Sequence, residues 1–491
     1  HADTVFGPEP GKLRGYDGHE EVEIGLVKLY RATGNEKYLN LAKFMIDERG
    51  TEPHFFLEDW ERHGRIGHWD GKLQHGPLNL AYHQAHKPVR EQAVAVGHAV
   101  RAVYLYAGMA DIARLTGDEG LKTACGRLFA NIAEKQLYVT GGIGQTVHGE
   151  AFSFDYDLPN GTVYQETCAS IGLIFFAHRM LQFGADRRYA DVMEQALYNS
   201  VLSGMAKDGR HFFYVNPLEV QPEASAKDPG KRHVVPERPQ WYGCACCPPN
   251  LTRLVADLGE YVYSTASDAV YAHLFIGGEA NLRLADGAVR LVQETGYPWD
   301  GKVCFRVACN DGEAFPTQPF TLGVRIPGWA KNASLAICGA SPSAPDVTET
   351  GYACVNRIWQ PGDTVVLDLS LAPRLVVAHP RVREDMGKVA VMVGPMAYCF
   401  EEADNGTNLP GLSIRTDRPL TAQIEPELLG GVLTVSAEGV RCREIGWDNG
   451  DLYRTLEPGM QPYETEAVTL KAVPYHAWNN RGVGEMAVWL R

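Results

Sequence analysis

Three cysteines stand within four positions of the stretch WYGCACCPPNL, which runs from Trp241 to Leu251. They are Cys244, Cys246 and Cys247; Pro248 and Pro249 follow, then the helix-like run NLTRLVADLGEYVY. Proline suits the first turn of a helix, where its missing N–H costs nothing. The sequence therefore predicts Cys246 and Cys247 at or just before a helix N-terminus. The partial positive charge there favours thiolate over thiol, as reactive or metal-bound sulfur requires.

A second stretch, Glu166-Thr167-Cys168, lies where an irregular segment enters another helical pattern, with Thr167 as the expected N-cap. Residues two apart do not share a helix face. Glu166 and Cys168 can therefore address one object only from the turn ahead of the helix. With Cys246 and Cys247 they would offer one carboxylate oxygen and three sulfurs, a donor set suited to tetrahedral zinc. The spacing matches no CxxC…CxxC ribbon, and a core cysteine beside a solvated glutamate is the plainer alternative.

Glu150 in HGEAF, and Asp155 and Asp157 in DYD, are candidate acids. Glycoside hydrolysis needs a carboxyl that protonates the leaving oxygen and a second group that acts as nucleophile or base. A lone loop glutamate is more often simply solvated. His19, His83, His86, His98 and His148 gather in the same half with Trp60, Trp69, Tyr82 and Tyr214, as a sugar cleft requires. A single histidine at a helical position, such as His98, is more often a satisfied core residue.

The elements that must position these groups fall into two classes. Helical periodicity covers Glu20–Ala32, Asn35–Asp47, Glu91–Leu115, Glu119–Gln136, Cys168–Phe183 and Arg188–Leu202, and follows the cysteine cluster to near Tyr263. Thr51–Pro88 and Tyr138–Tyr164 break the pattern and read as long loops over a working face, His211–Leu218 reads as extended, and Glu223–Gln240 as a polar loop. This succession suggests an (α/α)6-type barrel of helical hairpins over residues 1-263. It has too few helices for six pairs, and the chain starts at His1 rather than Met. Either further helices escape the periodicity, or the barrel lacks part of its N-terminal side. Beyond Tyr263, short β-type runs alternate with turns, which predicts two β-sandwiches, over 264-380 and 381-491, divided near His379-Pro380.

Length and charge narrow the function classes. A chain of 491 residues exceeds one ordinary core. A net charge of −14 argues against nucleic acid and anionic membranes as partners, and no apolar run is long enough to span a bilayer. The eleven cysteines are an odd number, and those outside the cluster sit irregularly among apolar neighbours. They read as buried and reduced, which implies a cytoplasmic protein rather than a disulfide framework.

The motifs GGIGQTVHGEAFSFDYDLPN, YQETCASIGL, FFYVNPLE and CACCPPN, in that order, resemble glycoside hydrolase family 127, the retaining β-L-arabinofuranosidases, and the related family 146. The likeness runs from about Gly15 to the end, where GKVAVMVGP and WNNRGVGEM add to it. It implies a helical barrel with two β-sandwiches, and a further segment ahead of GYDGHEE. It also implies Zn2+ held by Glu166, Cys168, Cys246 and Cys247, with Cys246 as nucleophile and Glu150 as general acid/base. His19, His98 and Tyr214 match sugar-contacting positions. The expected partner is a small carbohydrate carrying terminal β-L-arabinofuranose, and a homodimer is compatible. Two other readings stay open: a glycosidase of this scaffold acting on another sugar, and a non-catalytic glycan-binding protein with a structural zinc.

Overall fold

The computed structural model describes residues 1–67, 71–444, 447 and 452–491; Trp69 lies outside the described residues. Its first half is built of helical hairpins. Helix α1 (Val22–Thr33) stops at Gly34, which takes a left-handed φ of 69° and returns its N–H to Tyr30. Asn35 then caps α2 (Glu36–Glu48) by accepting the Lys37 N–H at 3.1 Å. After α3 (Phe55–Arg62) the pattern repeats: α4 (Ala99–Thr116) ends at Gly117, and Asp118 caps α5 (Glu119–Lys135). A third hairpin pairs α6 (Thr167–Leu181) with α7 (Arg187–Ala196), which runs on through a π-helical turn over Leu197–Val201. Helix α8 (Cys247–Ala256) packs on α6.

Helices α4 and α6 are buried nearly all round and pack on each other; α1 packs on α4 and α8 on α6, while α2, α5 and α7 pair with α1, α4 and α6. Truncating an inner residue such as Phe176 to alanine would cost about 3–5 kcal/mol. Several expected boundaries move. The segment 51–88 contains α3 and a 3-10 turn at Leu80–His83, while residues 91–98 stay outside α4 because His98 itself caps that helix. The polar loop from 223 carries the short helix Pro222–Lys227. The helix after the cysteines ends at Ala256, with a 3-10 turn over Leu258–Tyr261.

The second half is β-structure. A five-stranded antiparallel sheet joins β4 (Gly278–Leu284), β5 (Gly287–Thr295), β6 (Lys302–Cys309), β10 (Thr364–Asp368) and β8 (Ser334–Ile337). A four-stranded sheet faces it: β2 (Tyr263–Ala266), β3 (Ala269–Ala272), β7 (Phe320–Arg325) and β9 (Tyr352–Arg357). Val289, Phe305, Leu322 and Val365 share one core between them. The last part forms one branched sheet, ten-stranded with a strand of the helical half included. Strand β13 (Met396–Glu401) joins its halves, pairing with β12 (Val389–Val393) at one end and with β17 (Glu464–Pro474) at the other. Strand β11 (Pro373–Val376), ahead of His379-Pro380, already pairs with β12.

The helical half docks on both. Glu194 of α7 accepts the Tyr297 hydroxyl at 2.9 Å and pairs with the buried Arg325 of β7 at 2.5 Å. Strand β1 (Glu219–Val220) pairs with β18 (Met486–Ala487) of the last sheet. The cysteines are free, but the expectation that those outside the cluster are buried holds for Cys125 and Cys399 and fails for Cys309, Cys338 and Cys354, which are exposed. Strand alternation exposes Cys354, which shares the outward face of β9 with Asn356 while Ala353 and Val355 turn inward; Cys309 is exposed as the last residue of β6. No helix among the described residues is long and apolar enough to cross a membrane.

Candidate active site

Cys246 occupies the N-cap of α8 and Cys247 its first position, with the two prolines next. The sulfurs of Cys246 and Cys247 lie 3.8 Å apart, and Cys247 is 3.5 Å from Cys168 in the first turn of α6. Glu166, not Thr167, is the N-cap of α6; its extended backbone bridges to Val215, and the Thr167 hydroxyl donates to the Phe213 carbonyl instead. That leaves the Glu166 carboxyl ahead of the helix, with Oε1 3.5 Å from the Cys246 sulfur and 3.7 Å from that of Cys247. Two helix N-termini thus converge on one point.

The four donor atoms all lie within 4.8 Å of one another. Zinc–sulfur bonds of about 2.3 Å at tetrahedral angles would set sulfurs about 3.8 Å apart, which the observed spacings match. Glu166 Oε2 is buried without a hydrogen-bond partner among the described residues. Burial, reinforced by the Cys246 sulfur, raises the Glu166 carboxyl well above its ordinary range, and burial raises the Cys247 thiol. Hydrogen bonds from Cys168 and Cys247 hold Cys246 far below an ordinary thiol. Anion-forming groups buried this closely call for a cation. The residues fit a tetrahedral divalent metal. Cys244 lines the cavity beside them and stays outside the group of four.

Glu150 reaches the same cavity from the irregular segment. Its backbone is left-handed, φ 53°, straight after Gly149 at φ 75°. Non-glycine residues rarely take that conformation, and they concentrate at working sites. Gly149 is required: a Cβ there would meet Cε2 of Tyr82 at 2.8 Å. The Ala99 N–H, at the start of α4, donates to the Glu150 carbonyl at 3.0 Å and fastens the loop. Oε2 of Glu150 lies 2.9 Å from His98 Nε2, and Oε1 accepts the Tyr164 hydroxyl at 2.8 Å. Burial pushes the carboxyl up, but these two bonds outweigh it and hold the group below its ordinary value. His98, Glu150 and Glu166 also cluster within 4.8 Å; the hydrogen bond between His98 and Glu150 accounts for much of that proximity.

A cavity of about 850 Å³ gathers His19, His98, Glu150, Glu166, Tyr214 and Cys246. The Tyr214 hydroxyl lies 3.3 Å from the Cys246 sulfur, and the Thr167 N–H donates to the Tyr214 carbonyl. His19 is held below its ordinary value by burial and by the Arg101 charge, so its ring is neutral. Asp155 and Asp157 are elsewhere: Asp155 accepts from Asn131, and Asp157 from Ser153. Both line a separate hollow with Arg381, so neither is an acid of this site. Trp60, His83, His86 and His148 do not line the cavity either.

Sequence reasoning missed Tyr164, Arg101, Tyr104, Asn250 and Arg253. Tyr164 was signalled by its place two residues before Glu166, and Arg101 by standing one helical turn after His98. Arg101 stacks on Tyr82 at 5.1 Å, its Nη1 is 3.1 Å from His83 Nδ1, and its Nε is buried without a partner among the described residues. Asn250 donates to the Tyr104 hydroxyl at 2.6 Å, and Arg253 reaches Asn250 at 2.7 Å and Glu21 at 2.5 Å. Tyr104, Asn250 and Arg253 had no sequence signal beyond helical position.

Family models match nearly the whole length: a glycoside hydrolase family 127 β-L-arabinofuranosidase catalytic domain over residues 1–260, the family's middle domain over 269–371 and its C-terminal domain over 373–491. The non-reducing end β-L-arabinofuranosidase of Bifidobacterium longum subsp. longum is 39% identical over 498 residues, which cover 100% of this chain and 73% of that protein. A solved family 127 β-L-arabinofuranosidase from Geobacillus stearothermophilus T6 is 47% identical, with a TM-score of 0.92, over 100% of this chain and 74% of that one. A second solved β-arabinofuranosidase of the family is 36% identical, with a TM-score of 0.83, over 100% of this chain and 71% of that one. With all three family domains matched in order along the chain, it belongs to glycoside hydrolase family 127.

Proposed function

We propose that this chain is a retaining exo-glycosidase that releases terminal β-L-arabinofuranose from plant-derived arabino-oligosaccharides or glycoconjugates. The observation that carries the reading is the opening of one cavity onto both Cys246, within its four-donor cluster, and Glu150. The relatives named as β-L-arabinofuranosidases supply the sugar.

Glu166, Cys168, Cys246 and Cys247 would hold zinc, which when bound keeps the three sulfurs as thiolates near neutral pH. Cys246 Sγ attacks the anomeric carbon while the bond from that carbon to the leaving oxygen breaks. With the sugar bound and the carboxyl further desolvated, Glu150 carries a proton, gives it to that oxygen and becomes a carboxylate again. In the second half Glu150 takes a proton from water, the water oxygen attacks the anomeric carbon, and the sulfur–carbon bond breaks. Two inversions restore the starting configuration. The Tyr214 hydroxyl, beside Cys246, would steady the thiolate as it departs. His19, His98 and Tyr214 would line the sugar, with His98 reaching it beside its bond to Glu150.

The succession of packed helical hairpins supports reading the helical half, 1-263, as part of an (α/α)6 barrel. Sandwich units over 264-380 and 381-491 would follow, with β11 lent forward to the last sheet. The test is the anomeric configuration of the first product from p-nitrophenyl β-L-arabinofuranoside, followed by NMR on zinc-replete protein. Retained configuration in the wild type, with turnover lost in Cys246→Ala and Glu150→Ala, is expected. An inverted first product would rule out the double displacement.

A further inference from the structure

His98 does two jobs with one ring. As the N-cap of α4, its Nδ1 accepts the N–H of Arg101 at 3.3 Å. A ring nitrogen that accepts carries no proton, so the neutral ring bears its proton on Nε2. That nitrogen, 2.9 Å from Glu150 Oε2, therefore donates to it. The opposite oxygen, Oε1, accepts the Tyr164 hydroxyl at 2.8 Å.

The two partners of Glu150 are not equivalent. The Nε2–H of His98 can only donate. Moving its proton to Nδ1 would set one N–H against another, that of Arg101. A tyrosine hydroxyl can turn about its C–O bond and accept. The Tyr164 ring lies between Tyr214 and His233, at centroid distances of 5.9 and 6.1 Å, and a phenol hydroxyl can still turn about its C–O bond when the ring is held. A proton on Glu150 thus finds a compatible neighbour at Oε1 and a clash at Oε2.

We propose that the proton exchanged by Glu150 is carried on Oε1. His98 keeps Oε2 a permanent acceptor, and Tyr164 is the positioning residue at the exchanging oxygen. The assignment rests on the reading of Glu150 as the acid/base. When Oε1 is protonated, the Tyr164 hydroxyl turns away or accepts. As the bond from the anomeric carbon to the leaving oxygen breaks, its electron pair stays on that oxygen, which takes the Oε1 proton and departs as an alcohol. The Tyr164 O–H then turns back to the carboxylate. In the second half Oε1 recovers a proton from the attacking water.

The experiment compares Tyr164→Phe with wild type on β-L-arabinofuranosides whose leaving groups run from dinitrophenol to methanol, with bound zinc measured in parallel. Misplaced proton transfer should lower the rate about 10-fold or more on the methyl glycoside and less than about 3-fold on the dinitrophenyl glycoside, with zinc content unchanged. Equal losses on both, or no loss, would overturn the role of Tyr164. Nitrogen NMR of the imidazoles, with the His98 signal assigned through His98→Gln, should show the neutral Nε2–H form; a proton on Nδ1 would overturn the locked Oε2. If the wild type hydrolyses none of these glycosides, the substrate reading fails, and the nitrogen spectrum still decides the hydrogen-bond assignment.

Discussion

Oε2 of Glu150 lies 2.9 Å from Nε2 of His98, the residue that caps the helix Ala99–Thr116. That bond ties a glutamate held at a φ of 53° to the first turn of one of the most buried helices in the molecule. The loop's geometry is thereby set by the core beneath it.

Removal of the metal proposed for the four donors should unfold the site before it unfolds the protein. Chelator-treated protein is expected to lose activity and to melt several degrees lower, because Glu166 and Cys247 are buried side by side without a counter-charge. Cys168→Ala should give the same lower melting point without chelator. Elemental analysis beside thermal melts, with zinc added back, checks both. A stripped protein with an unchanged melting point would show that the cluster needs no cation.

Cys246→Ser should separate nucleophile from ligand. An alcohol oxygen is a poorer nucleophile at neutral pH, so turnover is expected to fall at least about 10⁴-fold. The fold should persist, since Cys246 is only half-buried at the helix end. Mass spectrometry of quenched wild type should find a sugar on Cys246, and none on the variant. Near-normal turnover by a zinc-loaded variant would remove Cys246 from the nucleophile's role.

Two glycine-to-alanine changes should differ in sign. Gly149→Ala puts a Cβ 2.8 Å from the Tyr82 ring at a φ of 75°. It should cost about 1–3 kcal/mol, and a displaced Glu150 should lower kcat/KM about 100-fold. Gly126 lies inside the helix Glu119–Lys135 with nothing within 4 Å of an added Cβ. Gly126→Ala should stabilise by about 0.5–1 kcal/mol with activity unchanged. Equal behaviour of the two would sink the packing argument.

Asp385 should make stability fall with rising pH. Burial lifts its carboxyl to about 6, and the bond from Asn160 offsets this only in part. The folded form therefore holds the proton more tightly than the unfolded chain, whose carboxyl titrates near about 4. Its contribution is full below the unfolded value, declines as pH rises to about 6, and stays lost above that. Asp385→Asn should remove that slope and raise stability by roughly 2 kcal/mol at pH 7. Melting points of both proteins at constant zinc, from pH 4.5 to pH 7.5, test the sign; parallel curves would refute it.

Much of the local structure was legible because its causes are local. The Thr33-Gly34-Asn35 break and the caps at Asn35 and Asp118 mark hairpins by turn and cap chemistry alone. The prolines after Cys247 announce a helix start, and a helix starts there. Misreadings came where a side chain serves a distant partner. Thr167 is a good N-cap by type, yet its hydroxyl is taken by the Phe213 carbonyl and Glu166 holds the cap position. Residues 91–98 carry helical periodicity, but His98 caps the next helix and so ends that pattern. The boundary near His379-Pro380 likewise hides a long-range pairing, because no periodicity reveals that Pro373–Val376, ahead of it, pairs with Val389–Val393.

The sequence by itself determined the chemistry available: three cysteines and a glutamate at two helix starts, and a glutamate after a histidine and a glycine. It also determined the order of helical and β halves, since hydrophobic period and turn residues are properties of neighbouring positions. The tertiary structure decided which groups meet. Asp155 and Asp157 resemble Glu150 as candidate acids in sequence, but their chain turns toward Asn131 and Ser153 while Glu150 turns toward His98 and Tyr164. The tertiary structure likewise brought Cys168 to within 3.5 Å of Cys247 across 79 positions of chain. Contacts of that range are set by the packing of whole helices, so the bond from Tyr164 to Glu150 and the sulfur cluster become visible only once the helices are in place.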